Sequence, residues 1–182
     1  MTERDYWFAE QYRMSEGVQT IGSIEDILLE HIPGAERVER AKEEDDKKGT
    51  DYWVYRKGVK KPVGIDVKIR SIDPIMQYSM DDLALEIWSV IDRNDNNKIG
   101  WTLDNSKETD FILWFFEPTK RFVLLPFLHL LAVTTEHMPM WEKTYKVSTQ
   151  GSDDKRWRSM CVFVPRKVVL GAITARFYGD PQ

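Results

Sequence analysis

One stretch constrains the fold more than any other. Residues 63–70, VGIDVKIR, alternate apolar and charged side chains: Ile65, Val67 and Ile69 against Asp66, Lys68 and Arg70. Only an extended strand sorts residues at a period of two, so one face of this strand must lie on a core while the other carries an acid and two bases. The segment before it, DYWVYR, is aromatic and β-branched, and RKGVKKP between the two reads as a turn. Together they predict a β-hairpin. A lone hairpin cannot bury its apolar face, so the rest of the chain has to supply a sheet and a covering layer.

The remaining segments meet that demand. Ser23 is a plausible N-cap for a helix over SIEDILLEHI, with Glu25 and Asp26 in its first turn and Pro33-Gly34 ending it. ERVER alternates like a short strand, and AKEEDDKKG reads as a polar, solvated loop. A helix is expected over Thr2–Met14 and another from about Met80 to Ile91, containing Leu83, Leu85, Ile87 and Trp88; DRNDNNKIG after it reads as a loop. DFILWFF and RFVLLPF flank the turn EPTK, and the first is apolar throughout, as a strand covered on both faces would be. TYKVSTQ and RWRSMCVFVP, parted by GSDDK, predict a third hairpin, and PRKVVLGAITARF a closing helix. The expectation is an α/β (α+β) fold with a mixed central β-sheet built from hairpins and flanked by helices. One domain over 1–182 is expected, with 1–22 as an N-terminal extension, 23–89 as the core motif and 90–182 as further strands and the last helix.

Composition narrows the function classes. Hydrophobic residues make up 42% of the 182, with seven Trp and eight Phe, enough for a substantial core. The one cysteine, Cys161, excludes an internal disulfide and a multi-cysteine zinc site, and reads as a buried thiol. The N-terminus is charged and aromatic, unlike a secretory signal, and the longest apolar run, FVLLPFLHLLAV, is too short to span a bilayer. A cytoplasmic protein with no membrane partner is therefore expected. Net charge is −4, but it is unevenly spread. Arg56–Arg70 holds six bases and one acid, whereas Ser23–Asp51 holds ten acids and five bases. Trp88, Trp101 and Trp114 read as core.

Asp66 and Lys68 share a strand face, about 7 Å apart along the backbone. Asp-x-Lys occurs at four places, and only this copy is threaded between apolar residues at period two. Asp51, fifteen residues earlier and just after Gly49-Thr50, could converge on Asp66 at one end of the hairpin. Two adjacent carboxylates repel unless a cation lies between them. Oxygen ligands without His or Cys suit Mg²⁺ or Mn²⁺, an ion that acidifies water and stabilises charge on a phosphoryl oxygen. The three histidines have no ligand spacing, and no Gly-rich phosphate loop is present. Such a set suits phosphodiester hydrolysis. The plain alternative is a solvated edge-strand face whose ion pairs contribute little. Arg56, Lys57, Lys60 and Lys61 in the turn, Arg70 on the strand, and Arg156 and Arg158 in KRWR are candidate nucleic-acid contacts; the turn bases would serve solubility equally well.

Gly49-Thr50-Asp51 followed by Gly64-Ile65-Asp66-Val67-Lys68 resembles the PD-(D/E)xK nuclease superfamily, which includes Holliday-junction resolvases and restriction enzymes. Thr50 stands where the motif has proline. Later segments look similar to uncharacterised bacterial and phage proteins associated with that superfamily. The resemblance implies a restriction-endonuclease-like fold, Asp51 and Asp66 as ligands of Mg²⁺ or Mn²⁺ with the carbonyl of Val67, and Lys68 as the catalytic lysine. It also implies a further acid from the first helix, with Glu25 first choice and Asp26 or Glu30 behind it, and a contribution from Glu86. DNA is the implied substrate, and homodimers are common among such enzymes. The expected function is metal-dependent DNA hydrolysis; the alternative is the same fold kept as a non-catalytic module that binds DNA or a host protein.

Overall fold

The computed structural model describes residues 18–92, 97–150 and 157–179. The helix expected over Thr2–Met14, and Arg156, lie outside them. Among the described residues the chain is mixed α/β, with a five-stranded mixed sheet, a four-stranded antiparallel sheet and five helices. It divides into two compact units.

The first unit comprises the described chain up to Asp73 together with Glu108–Leu124. Helix α1 (Val18–His31) leads into β1 (Ala35–Arg40), a single helical turn α2 (Glu43–Asp46), β2 (Tyr52–Arg56), β3 (Val63–Arg70), β6 (Phe111–Phe116) and β7 (Arg121–Pro126). The sheet order is β1-β2-β3-β6-β7. β1, β2 and β3 are antiparallel, as the hairpin pattern predicts, with Tyr52 opposite Ile65 and Val54 opposite Val63. β3 and β6 are parallel, which hairpins alone do not produce. A parallel pair needs a long crossover, and residues 71–110 supply it.

Period-two alternation decides what β3 buries. Ile65 joins Tyr52, Val54 and Val63, Leu113 and Phe115 of β6, and Ile24, Leu28 and Ile32 of α1 in one cluster, with Val67 and Ile69 at its edge. The apolar stripe of α1 thus covers the face of β3 opposite Asp66 and Lys68. On the latter face Asp66, Lys68 and Arg70 lie beside Ile112, Trp114 and Phe116 of β6, all three fully or almost fully buried. β6 is covered on both faces. At the other end of β3, Asp73 is buried and takes a bidentate contact from Arg121, Nε to Oδ2 at 3.0 Å and Nη2 to Oδ1 at 2.9 Å, with the Thr119 hydroxyl donating at 2.6 Å.

The second unit comprises Pro74–Lys107 and the described chain from Leu125. It holds α3 (Pro74–Tyr78), β4 (Asp82–Asp92), β5 (Lys98–Ile99), α4 (Phe127–Thr144), β8 (Lys146–Gln150), β9 (Trp157–Pro165) and α5 (Arg166–Tyr178), with sheet order β5-β4-β9-β8. Three expectations need correction. Met80–Ile91 is not a helix: Leu83, Leu85 and Ile87 are buried on alternate residues, the period of the strand β4. Trp88 accordingly falls on the other face and is 37% exposed, whereas Trp101 and Trp114 are buried. Ser23 does not cap α1, because helical geometry already runs from Val18. The longest helix among the described residues, α4, buries Phe127, Leu130, Val133, Thr134, Met138 and Trp141, a three-and-four spacing that begins within the apolar run. Cys161 is buried and free. No helix among the described residues is long and apolar enough to cross a membrane.

Candidate functional site

The antiparallel ladder between β2 and β3 ends at Asp51. Its N–H donates to the Ile65 carbonyl at 2.8 Å, and its own carbonyl accepts from Ala41 N–H at 2.8 Å. One step further along β3, Val67 finds no β2 residue to pair with. Its N–H donates instead to Asp51 Oδ2 at 2.5 Å. In an extended strand a residue's N–H and C=O point to the same edge, so the Val67 carbonyl faces the Asp51 side as well.

Asp66 projects from the polar face of β3 and is only 2% exposed. Lys68 Nζ lies 2.5 Å from Asp66 Oδ1, so the lysine that shares its face is also its ion-pair partner. Asp51 and Asp66 are close enough for each charge to bear on the other. Burial, then the Asp66 charge, pushes the Asp51 carboxyl from its ordinary 3.8 up to about 7; Lys68 and the Val67 N–H oppose the rise, and the Asp46 charge adds to it.

Asp46 lies in AKEEDDKKG, the run whose composition predicts a solvated loop. Burial raises its carboxyl above the usual range; interaction with Asp51 opposes the rise, the Asp66 charge adds to it, and Lys68 and, more weakly, Arg40 act the other way. The local chain holds Asp46 there. Asp46 closes α2, and its carbonyl accepts from Gly49 N–H at 2.8 Å. Gly49 has φ +96°, a left-handed turn that glycine adopts without strain. The neighbouring Asp45 accepts from Trp53 Nε1 at 3.2 Å. Thr50, 1% exposed, donates from Oγ1 to the Glu108 carbonyl at 2.5 Å. Gly64 is tied by its N–H to Asp110 Oδ2 at 2.8 Å, and a Cβ on it would stand 2.9 Å from Thr50 Oγ1. Asp46, Asp51 and Asp66 are therefore mounted on a braced frame. A five-residue return from Asp46 to Asp51 through Gly49 was the available sequence signal.

The other expected site residues are distributed differently. Glu25 is half-buried on α1, whose apolar stripe lies on the face of β3 opposite Asp66; Asp26 and Glu30 are exposed. The carboxyls whose charges bear on Asp51 are Asp66 and then Asp46. Glu86 belongs to the second unit, on β4, where the Trp101 N–H donates to its Oε2 at 3.4 Å. Arg56 is half-buried, while Lys57, Lys60 and Lys61 are exposed. They sit at the turn end of the hairpin, about 16 Å from Asp51 at 3.3 Å per residue of strand. Arg70 lies at the opposite end of β3, half-buried, and Arg158 is half-buried on β9 of the second unit.

Among the described residues, no group of three or more His, Cys, Asp or Glu side chains is arranged to hold a metal ion. Mg²⁺ commonly uses only one or two carboxylates with water at its other positions. Asp51 and Asp66, with the carbonyl edge at Val67, are oxygen donors of that kind and fit the ion by donor chemistry. No family model, curated protein or solved structure matches the chain.

Proposed function

We propose that the first unit is a divalent-metal-dependent nuclease of the PD-(D/E)xK type, with a restriction-endonuclease-like core, hydrolysing phosphodiester bonds in DNA. The observation that supports this reading best is the meeting of Asp51 and Asp66 at the open end of the β2–β3 hairpin, with Lys68 against Asp66. Asp51, Asp66 and the Val67 carbonyl would hold Mg²⁺ or Mn²⁺. When bound, such an ion acidifies water and stabilises negative charge at the phosphorus.

The chain's own groups divide the remaining work. Asp51 is oriented by the Val67 N–H, so its carboxylate need not reorganise to take a cation. Asp66 is held by the burial of its strand between α1 and the aromatic strand β6. Lys68, 23% exposed at its side chain, can turn from Asp66 to the attacking water or a phosphoryl oxygen. Lys57, Lys60 and Lys61 would meet the DNA backbone about five nucleotides from the cut, at 3.4 Å per nucleotide along a strand. The test is incubation with linear, branched and single-stranded DNA in Mg²⁺ or Mn²⁺. Cleavage by the wild type and none by Lys68→Ala is expected; a wild type that cuts nothing, or a Lys68→Ala protein that cuts equally well, overturns it.

A second reading is favoured by one specific contact. Lys68 already pairs with Asp66 at 2.5 Å, as in a site that needs no metal. In this reading the unit is a non-catalytic module binding DNA or a protein partner. DNA binding that ignores divalent ions, without cleavage, is the outcome that selects it.

A further inference from the structure

Resting on the nuclease reading, we infer that the first unit takes an unpaired DNA strand, whose bases stack on Trp53 and Tyr55 beside the acidic site. Tyr52 and Val54 pack toward α1, so alternation turns Trp53 and Tyr55 to the other face of β2, the face that carries Asp66 and Lys68 on β3. The strand register gives the same row: Trp53 lies opposite Gly64, two residues before Asp66, and Tyr55 lies opposite Arg37 of β1. Both aromatic residues are half-buried, and each is held in place. Trp53 donates from Nε1 to Asp45 Oδ2 at 3.2 Å, and its ring lies so near Gly64 that a Cβ there would stand 3.3 Å from Cζ3. The Arg37 guanidinium rests 3.9 Å over the centre of the Tyr55 ring and is a further plane on which a base can stack. The surrounding charge suits phosphate. Residues 52–65 contain Arg56, Lys57, Lys60 and Lys61 and no acid, and Glu39, the acid of β1 opposite Trp53, is paired with Arg37. Duplex DNA hides the flat faces of its bases in the stack and offers only their edges. Rings lying on a sheet can therefore be met by bases only where the strand is unpaired. Trp53 and Tyr55 are about 7 Å apart along β2, about twice the 3.4 Å rise of a stacked strand, so they suit bases drawn apart from one another. Trp53 also stands about 7 Å from Asp51 along the chain, which puts the stacked bases next to the bond to be cut.

The test is fluorescence anisotropy in EDTA with three labelled probes of equal length: oligothymidylate, a strand of the same backbone without bases, and a duplex. The wild type binds oligothymidylate about fivefold or more tightly than the base-free strand, the least that one stacked base contributes. Tyr55→Ala loses about fivefold or more on oligothymidylate and less than about twofold on the duplex. Tyr55→Phe, which keeps the ring, stays within about twofold of the wild type on both. Lys60→Ala, by contrast, weakens both probes alike, as the loss of a phosphate contact does. A wild type that holds the base-free strand as tightly as oligothymidylate, or binds neither, overturns the inference, and that comparison depends on no variant. So does a Tyr55→Ala protein that keeps its affinity for oligothymidylate, or that loses as much on the duplex. Stacking through Tyr55 with no cleavage of oligothymidylate in Mn²⁺ overturns the nuclease reading alone.

Discussion

Replacing Asp51 with asparagine should make the metal-free protein more stable at alkaline pH, although it removes a group placed at the heart of the site. The Asp51 carboxyl lies at about 7 in the fold against an ordinary 3.8, through burial first and the Asp66 charge second. A raised carboxyl means that the folded state holds more protons than the unfolded state between those two values. Stability therefore falls as pH rises through that window, and the full penalty is present above about pH 7. A displacement of this size corresponds to about 4 kcal/mol at most. Asp51 is partly open to solvent and shares its field with Asp46, so about 1–3 kcal/mol is the expected measurable part. Asparagine carries no such penalty and can still accept from the Val67 N–H. Urea denaturation of wild type and Asp51→Asn in EDTA at pH 4 and pH 8.5 provides the assay. The variant should gain on the wild type by about 1–3 kcal/mol between the two pH values. A stability difference that does not vary with pH would falsify the account of Asp51 as a carboxyl strained by its neighbours. Under the metal reading Mn²⁺ should raise the wild-type melting temperature at pH 8.5 and leave Asp51→Asn unmoved.

Other changes probe the frame around that carboxyl. Lys68→Ala should destabilise the fold by about 2–4 kcal/mol in urea at pH 8, because it leaves the buried Asp66 without its counter-charge. Lys68→Met, read in the same way, should cost as much, whereas a loss below about 0.5 kcal/mol would mean the pair is a surface contact. Gly64→Ala should cost about 1–3 kcal/mol, since its Cβ would stand 2.9 Å from Thr50 Oγ1 and 3.3 Å from the Trp53 ring. Arg121→Ala should cost about 3–5 kcal/mol, because Asp73 would lose a bidentate partner in a buried position. Lys47→Ala, breaking an exposed pair with Glu43, should stay below about 1 kcal/mol and calibrates the others.

The hairpin was legible because its period is strict and both strands bury one face. Ile65, Val67 and Ile69 could lie nowhere but on a core, which places Asp66 and Lys68 together on the opposite face. β4 was misread for a related reason. DLALEIW offers apolar residues at spacings that fit a strand and a helix alike, and only the burial of Leu83, Leu85 and Ile87 on alternate positions decides between them. The parallel pairing of β3 with β6 was beyond reach, because it depends on 40 intervening residues returning the chain in the same direction. Asp46 was hidden by composition. Within Glu43-Glu44-Asp45-Asp46 four acids look equivalent, and what separates them is a one-turn helix and the left-handed Gly49, which put Asp45 on the Trp53 indole and bring the Asp46 charge to bear on Asp51.

The first unit buries acids in two ways, and the contrast bears on function. At Asp73 the arrangement is closed: one carboxylate, one arginine in bidentate contact, one threonine hydroxyl, and a guanidinium resting 4.0 Å over the Phe116 ring. Charge is matched, and every group has a partner of suitable geometry. The other end of β3 is different. Three carboxyl groups bear on one another with Lys68 as the close cation and Arg40 as a weaker one, and burial first, then the Asp66 charge, raises two of them. The same strand therefore shows that this fold can neutralise a buried acid where only stability is at stake. An imbalance braced by Gly49, Thr50, Gly64 and Glu108 costs stability at neutral pH. Under the metal reading, a divalent cation bound by Asp51 and Asp66 would offset that cost, and a metal-free protein would carry it in full.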